Sequence, residues 1–261
     1  MFSSDSRTFH LAAPQRKAFK LRESGNLKLN FDNLDDILGS EDRTINEYFG
    51  IYKLSLLVIG GSGAGKSTWI LNMILSNKIK CDCIILILPQ ESANSGLYKK
   101  LIQHKAINID NKIIKIISFI INKDELPTIK DLQKANLKNP CIIIDDWINS
   151  VNKQDFNLIK QYTTQISRVS GCTLCVLVQN YKKLDITFRS NFTIFVLFLS
   201  NVHKPVYENT IENLFNGNIT KEQEETLYEE LKGIKYKPLI LINGANDNSN
   251  IIFDDCYIET Y

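Results

Sequence analysis

Apolar residues along this chain gather in short continuous runs separated by polar stretches with helical spacing. The run LSLLVI (54–59) precedes a glycine-rich turn, and KSTWILNMILSN (66–77) then repeats its apolar positions at helical spacing. CDCIILILP (81–89) predicts a second strand, ended by Pro89. SGLYKKLIQHK (95–105) predicts a helix, KIIKIISF (112–119) a third strand and PCIIIDD (140–146) a fourth. In QDFNLIKQYTTQISRVSG (154–171), Phe156, Ile159, Ile166 and Val169 share one helical face, and Gly171 closes the helix as its C′ residue. CTLCVLVQN (172–180) and FTIFVLFLS (192–200) are further strands. KEQEETLYEELKG (221–233) predicts an acidic amphipathic helix, and KPLILINGAND (237–247) with NIIFDD (250–255) a closing hairpin or a pair of edge strands. Runs of Ile, Val and Leu without alternation belong to strands covered on both faces, so the expected fold is α/β with a mostly parallel sheet flanked by helices.

Residues 1–45 lack such a pattern. Arg7, Arg16, Lys17, Lys20 and Arg22 make this segment basic early on, and it predicts an arm or a small layer appended to a domain spanning 46–261. Contact of this segment with DNA or a neighbouring subunit is the weaker reading. Over all 261 residues the 31 basic and 29 acidic side chains leave a formal net charge of +2. That is no polyanion-binding signature, so a nucleic-acid contact requires a local patch. No apolar run reaches the ~18 residues of a membrane-spanning helix, and the N-terminus has no signal-peptide core, which predicts a soluble intracellular protein. Cys81, Cys83, Cys172 and Cys175 suggest a zinc site at first sight. Cys172 and Cys175, however, lie three apart on a strand and point to opposite faces. The histidines, His10, His104 and His203, are scattered, so the expectation is reduced, buried cysteines.

The turn between the first strand and its helix carries the clearest chemistry. GGSGAGKST (60–68) fits the P-loop pattern G-x-x-x-x-G-K-[ST] in the strand–loop–helix context that the motif needs. Gly60, Gly61, Ser62, Gly63, Ala64 and Gly65 form a loop whose amides face the phosphates of ATP, helped by the positive end of the helix. Lys66 reaches the β- and γ-phosphates, Ser67 ligands Mg²⁺, and Thr68 adds a contact to the α-phosphate. Downstream, CIIIDD (141–146) is an apolar strand ending in two acids, the Walker B arrangement. Asp145 is placed to hold Mg²⁺ through water, and Asp146 to polarise the attacking water. Small-molecule kinases add an arginine-rich lid to the same loop. GTPases need an NKxD strand end, which VQNYKKLD (178–185) does not supply. The strand after Walker B ends instead in an amide, Gln179, where multimeric ATPases sense the γ-phosphate.

RVSGCTLCVLVQN (168–180) resembles the arginine, glycine, strand and glutamine stretch of the FtsK–HerA superfamily of DNA-pumping ATPases, and FRSNFTIFVLF (188–198) is similar to its next block. With so short a core, residues 50–200 look like the packaging ATPases of large eukaryotic DNA viruses, virophages and polinton-like elements, the poxvirus type. The resemblance implies a RecA-like, ASCE-type P-loop NTPase fold. Lys66 and Ser67 match the Walker A lysine and serine, Asp145 the Walker B aspartate, Asp146 the catalytic acid (where the superfamily often has Glu) and Gln179 the sensor. Arg168 is the first candidate for an arginine finger given to a neighbour's nucleotide, and Arg189 the second. Similar proteins grip double-stranded DNA inside a homo-oligomeric ring, mainly at its phosphates. Lys182 and Lys183 are then candidate DNA or neighbour contacts, and a capsid or portal is the implied partner. The implied location is viral assembly sites in the host cytoplasm, or the virion. Two alternatives remain open: a P-loop ATP-binding switch or scaffold, and a nucleotide or small-molecule kinase.

Overall fold

The computed structural model describes residues 8–10, 18–22, 54–109, 112–149, 151–198, 204–215, 238–242, 250–253 and 256–260, with positions 221, 224, 225, 228, 229 and 236 besides. Its strands are β1 (Thr8–His10), β2 (Ala18–Arg22), β3 (Ser55–Ile59), β4 (Cys83–Leu88), β5 (Ala106–Ile109), β6 (Lys112–Ile120), β7 (Pro140–Ile144), β8 (Thr173–Val178), β9 (Ile194–Phe198), β10 (Pro238–Ile242), β11 (Asn250–Phe253) and β12 (Cys256–Thr260). They form one sheet in the order β1-β2-β12-β11-β10-β9-β3-β8-β7-β4-β6-β5. The centre, from β9 across β3, β8, β7 and β4 to β6, is parallel. β5 adds antiparallel at one edge, and β10 begins an antiparallel extension at the other. β8 stands between the P-loop strand β3 and the acidic strand β7, which is the ASCE strand order that the resemblance implies.

The helices are α1 (Lys66–Leu75), α2 (Gln90–Ala93), α3 (Gly96–His104), α4 (Ile129–Lys134), α5 (Lys153–Gln165), α6 (Ile186–Arg189) and α7 (Lys204–Phe215). Every residue of β3, β4, β7, β8 and β9 is buried, which is why their apolar runs show no alternation. Successive side chains enter two separate cores. Leu57, Ile85, Ile142 and Val176 pack with Ile159 and Tyr162 of α5, whereas Leu56, Ile84, Ile143 and Leu177 pack with Ile70 and Met73 of α1. Cys172 lies in the first core and Cys175 in the second, so the two thiols face away from each other across the sheet. Cys81, Cys83, Cys141, Cys172 and Cys175 are buried free thiols.

One expectation changes. The helix read as running to residue 171 ends at Gln165 and continues as a 3₁₀ turn over Ile166–Arg168. Gly171 therefore serves the chain reversal into β8. It sits at φ +65°, and a Cβ there would stand 2.0 Å from Asn139 Oδ1. KPLILINGAND and NIIFDD hold β10 and β11, which pair antiparallel and are extended by β12, and the N-terminal β1 and β2 join the same sheet through β12. The short α2, β5, α4 and α6 carry no readable period; α4 exists through a capping box between Thr128 and Asp131, and α6 through its Asp185 cap. In the acidic segment, Lys221, Glu224, Glu225, Tyr228 and Glu229 are helical, and the rest of that segment lies outside the described residues. Among the described residues no helix is long and apolar enough to cross a membrane.

Candidate active site

The loop after β3 is pinned at its first residue. Gly60 donates its N–H to the Val178 carbonyl at 3.1 Å, and a Cβ at Gly60 would lie 2.8 Å from the Phe198 Cβ. Only glycine lets the loop close between β8 and β9. Gly63 and Gly65 take φ +72° and +99°, which turns the chain sharply before Trp69 N–H donates to the Gly65 carbonyl at 2.8 Å and α1 begins. Gly65 caps α1 without a side chain, so the first turn presents its backbone and the positive helix end. Ser62 is exposed, Gly61 and Thr68 are half-buried, and Ala64 is buried.

Lys66 curls back so that Nζ donates to the carbonyls of Gly60 at 2.9 Å and Gly61 at 3.1 Å. Burial lowers its pKa, and the charges of Asp145 and Asp146 oppose that. Asp145 is 5 % exposed. Its Oδ2 accepts from Ser67 Oγ at 2.5 Å and from the Tyr98 hydroxyl at 2.8 Å. Burial pushes the Asp145 carboxyl up, while these two hydrogen bonds and the nearby Lys66 ammonium pull it down. Tyr98, on the buried face of α3, is itself raised well above the ordinary phenol range by burial first and the Asp145 charge second. No sequence signal marks Tyr98, because its role depends on where α3, packed on β6, brings its hydroxyl to Asp145.

Asp146 projects from a left-handed backbone at φ +56° and is exposed beside its buried neighbour. Its Oδ1 accepts from Gln179 Nε2 at 2.5 Å. A second bond runs parallel to the first: Lys183 Nζ donates to Asn149 Oδ1 at 2.6 Å. Together they tie the loop after β7 to the loop after β8 around a cavity of about 310 Å³, lined by Gly61, Asp146, Trp147, Asn149, Gln179 and Lys183. Trp147 is fully buried and stacks on Phe188 of α6 with ring centroids 5.5 Å apart, so the cavity wall is stiff. Trp147 and Asn149 also escaped the sequence reading.

The two arginines part company. Arg168 is exposed at the end of the 3₁₀ turn, where Nη1 donates to Gln165 Oε1 at 3.4 Å. It precedes β8 while Gln179 follows it, so a strand of roughly 20 Å separates Arg168 from the loop. Arg189 ends α6 with its guanidinium carbon 4.5 Å from the Tyr181 ring centroid, engaged within its own chain. The Lys182 side chain lies outside the described residues.

The donors suit Mg²⁺. Ser67 Oγ and the Asp145 carboxylate are hard oxygens that converge at the foot of the loop. Among the described residues no group of three or more His, Cys, Asp or Glu could hold a metal, and Mg²⁺ bound with phosphates needs only one or two protein ligands.

Residues 46–237 match the family described as Poxvirus A32 protein. No curated protein matches the chain. Among similar solved structures is the genome packaging NTPase B204 from Sulfolobus turreted icosahedral virus 2 in complex with ATP-gammaS, at 14 % identity and TM-score 0.48, covering 77 % of this chain and 96 % of that one. The pCW3 conjugation coupling protein TcpA with ATPgS follows at 13 % identity and TM-score 0.45, covering 85 % of this chain and 63 % of that one. A KaiC-like protein from Pyrococcus horikoshii has 13 % identity and TM-score 0.36, covering 80 % and 90 %. The family match takes in every described element from β3 to α7 and all the residues that build the site. The chain belongs to the poxvirus A32 protein family, as its resemblance to the poxvirus-type packaging ATPases of the FtsK–HerA superfamily implies.

Proposed function

We propose that this packaging ATPase couples ATP hydrolysis to the movement of double-stranded DNA into a viral capsid. The observation that carries the reading is the hydrogen bond from Gln179 to Asp146 beside the Ser67–Asp145 pair. An acid held by a strand-end amide, next to a magnesium-type donor pair, suits hydrolysis coupled to motion. Lys66 and the loop from Gly60 to Thr68 bind the phosphates. Ser67 and Asp145 would hold Mg²⁺, which would supply charge neutralisation at the phosphate oxygens. Asp146 accepts the proton of the attacking water, and Gln179 fixes the orientation of that carboxylate.

The placement of Arg168 before β8, at the end of that strand away from its own loop, supports a ring in which it reaches a neighbour's nucleotide. Arg189, packed on Tyr181, suits a role within its own chain. Lys183, hydrogen bonded to the loop of the acids, is the cation best coupled to nucleotide state, and with Lys182 it forms the proposed DNA contact. Viral assembly sites in the host cytoplasm, and a capsid or portal partner, complete the proposal. The deciding experiment is the ATPase rate with and without long double-stranded DNA at low salt. Stimulation by DNA is expected, and its absence would overturn the pump.

A further inference from the structure

Ile113, Ile186 and Tyr236 are the large hydrophobic side chains that stand exposed among the described residues, and Tyr236 is the one beside the phosphate loop. It is 66 % exposed. Its Cδ1 lies 3.3 Å, and its Cα 3.8 Å, from where a Cβ on Gly65 would stand. Phe198 Cε1, from a buried ring, approaches the same point to 3.7 Å. Tyr236 also holds φ +65°, an outlier for a bulky side chain. Backbone strain of this kind gathers at ligand clamps, where the surrounding structure holds a side chain in a place it would not choose.

The order of the strands says which end of a nucleotide this ring meets. Asp145, Asp146 and Gln179 all lie on the β7–β8 side of the loop. β9 and β10 lie on the other side of β3, and Tyr236 comes two residues before Pro238 at the start of β10. With the terminal phosphate toward the acids, the sugar and base leave toward β9 and β10. We propose that Tyr236 is the platform on which the nucleobase of bound ATP stacks; this rests on the nucleotide site proposed above. The contact uses the π-face that every base has, so it adds affinity without reading the identity of the base.

The test is calorimetric binding of ATP, GTP and inorganic tripolyphosphate to the full chain and two variants. Tyr236→Gly removes the ring and relieves the left-handed backbone, so the fold is kept. Loss of a base–aromatic stack should weaken ATP and GTP binding by about 5- to 150-fold and leave tripolyphosphate unchanged. Tyr236→Phe should bind all three ligands as the native chain does. Equal weakening of tripolyphosphate and ATP would mean that the ring only shapes the loop, and would overturn the proposal. So would unchanged ATP binding in Tyr236→Gly, or a loss in Tyr236→Phe as large as in Tyr236→Gly. A native chain that binds none of the ligands would overturn the nucleotide site itself, an outcome distinct from these.

Discussion

Gln179 holds the carboxylate of Asp146 at 2.5 Å, and this one bond joins the ends of two neighbouring parallel strands, β8 and β7. The acid therefore cannot turn without disturbing the amide. Asp146→Asn keeps the shape and the hydrogen-bonding reach but removes the base. It should lower kcat by about 10²–10⁴ while ATP binding stays intact. Gln179→Ala should also lower kcat, and it should flatten the response to DNA as well. Steady-state rates and equilibrium nucleotide binding, measured side by side, check both. Normal turnover in Asp146→Asn would remove that residue from the chemistry.

Arg168 lies before β8 and Lys66 after the neighbouring parallel strand β3, at opposite ends of the strands, so a trans arginine would join them only between subunits. Lys66→Ala should abolish ATP turnover with the fold retained, since the lysine contacts loop carbonyls and no core side chain is lost. Arg168→Ala should lose about 10³–10⁵ in rate. Mixing the two inactive proteins should restore part of the activity, because some interfaces then hold one intact loop and one intact arginine. A mixture as dead as its components would count against the trans assignment.

Tyr98 shares the Asp145 oxygen with Ser67, and removing its hydroxyl leaves a buried carboxylate with one partner fewer. The ring itself fills space in the core and is kept in Tyr98→Phe. A hydrogen bond to a charged group is worth ~1.5–3 kcal/mol. Tyr98→Phe should accordingly shift the Mg²⁺ concentration that half-saturates nucleotide binding by about tenfold or more, with little change in melting temperature once Mg²⁺ and ATP are present. A Mg²⁺ titration of nucleotide affinity measures this directly, and an unmoved midpoint would leave Tyr98 as packing only.

Asp185 caps α6, accepting from Phe188 N–H at 2.7 Å, and pairs with Lys160 at 2.7 Å. The Lys160 hydrogen bond first, and the Phe188 amide second, hold its carboxyl below the ordinary 3.8. A carboxyl with a depressed folded-state pKa contributes stability above its unfolded pKa and loses it as pH falls through the folded value. Asp185→Asn should therefore melt below the wild type at neutral pH. The gap should close as the pH drops below about 3.8, the unfolded value. Parallel melting curves from pH 7 to 3 would show this, and a gap that persists in acid would point to packing.

The parallel centre was legible because its strands are covered on both faces, which leaves unbroken runs such as LSLLVI and CIILIL in β3 and β4. The loop and the two acids were legible because their chemistry needs fixed residue types at fixed places in a strand–loop–helix unit. What could not be read was adjacency. Nothing in GLYKKLIQH tells that Tyr98 reaches Asp145, 47 positions away, or that Lys183 reaches Asn149, 34 positions away. The short α4 and α6 were also invisible, since four to six residues carry no period and depend on Thr128 and Asp185 as caps.

β8 is buried along its whole length, with Gln179 just after it and Arg168 before it, across the turn at Gly171. A strand gripped on both sides by parallel neighbours behaves as a strut that shifts as one piece. In the proposed ring, the end that reads one subunit's nucleotide and the arginine offered to the next would thus be linked through this one strand and the turn that leads into it. Successive subunits would then fire in an order set by mechanical succession, each passing its state to the next through β8.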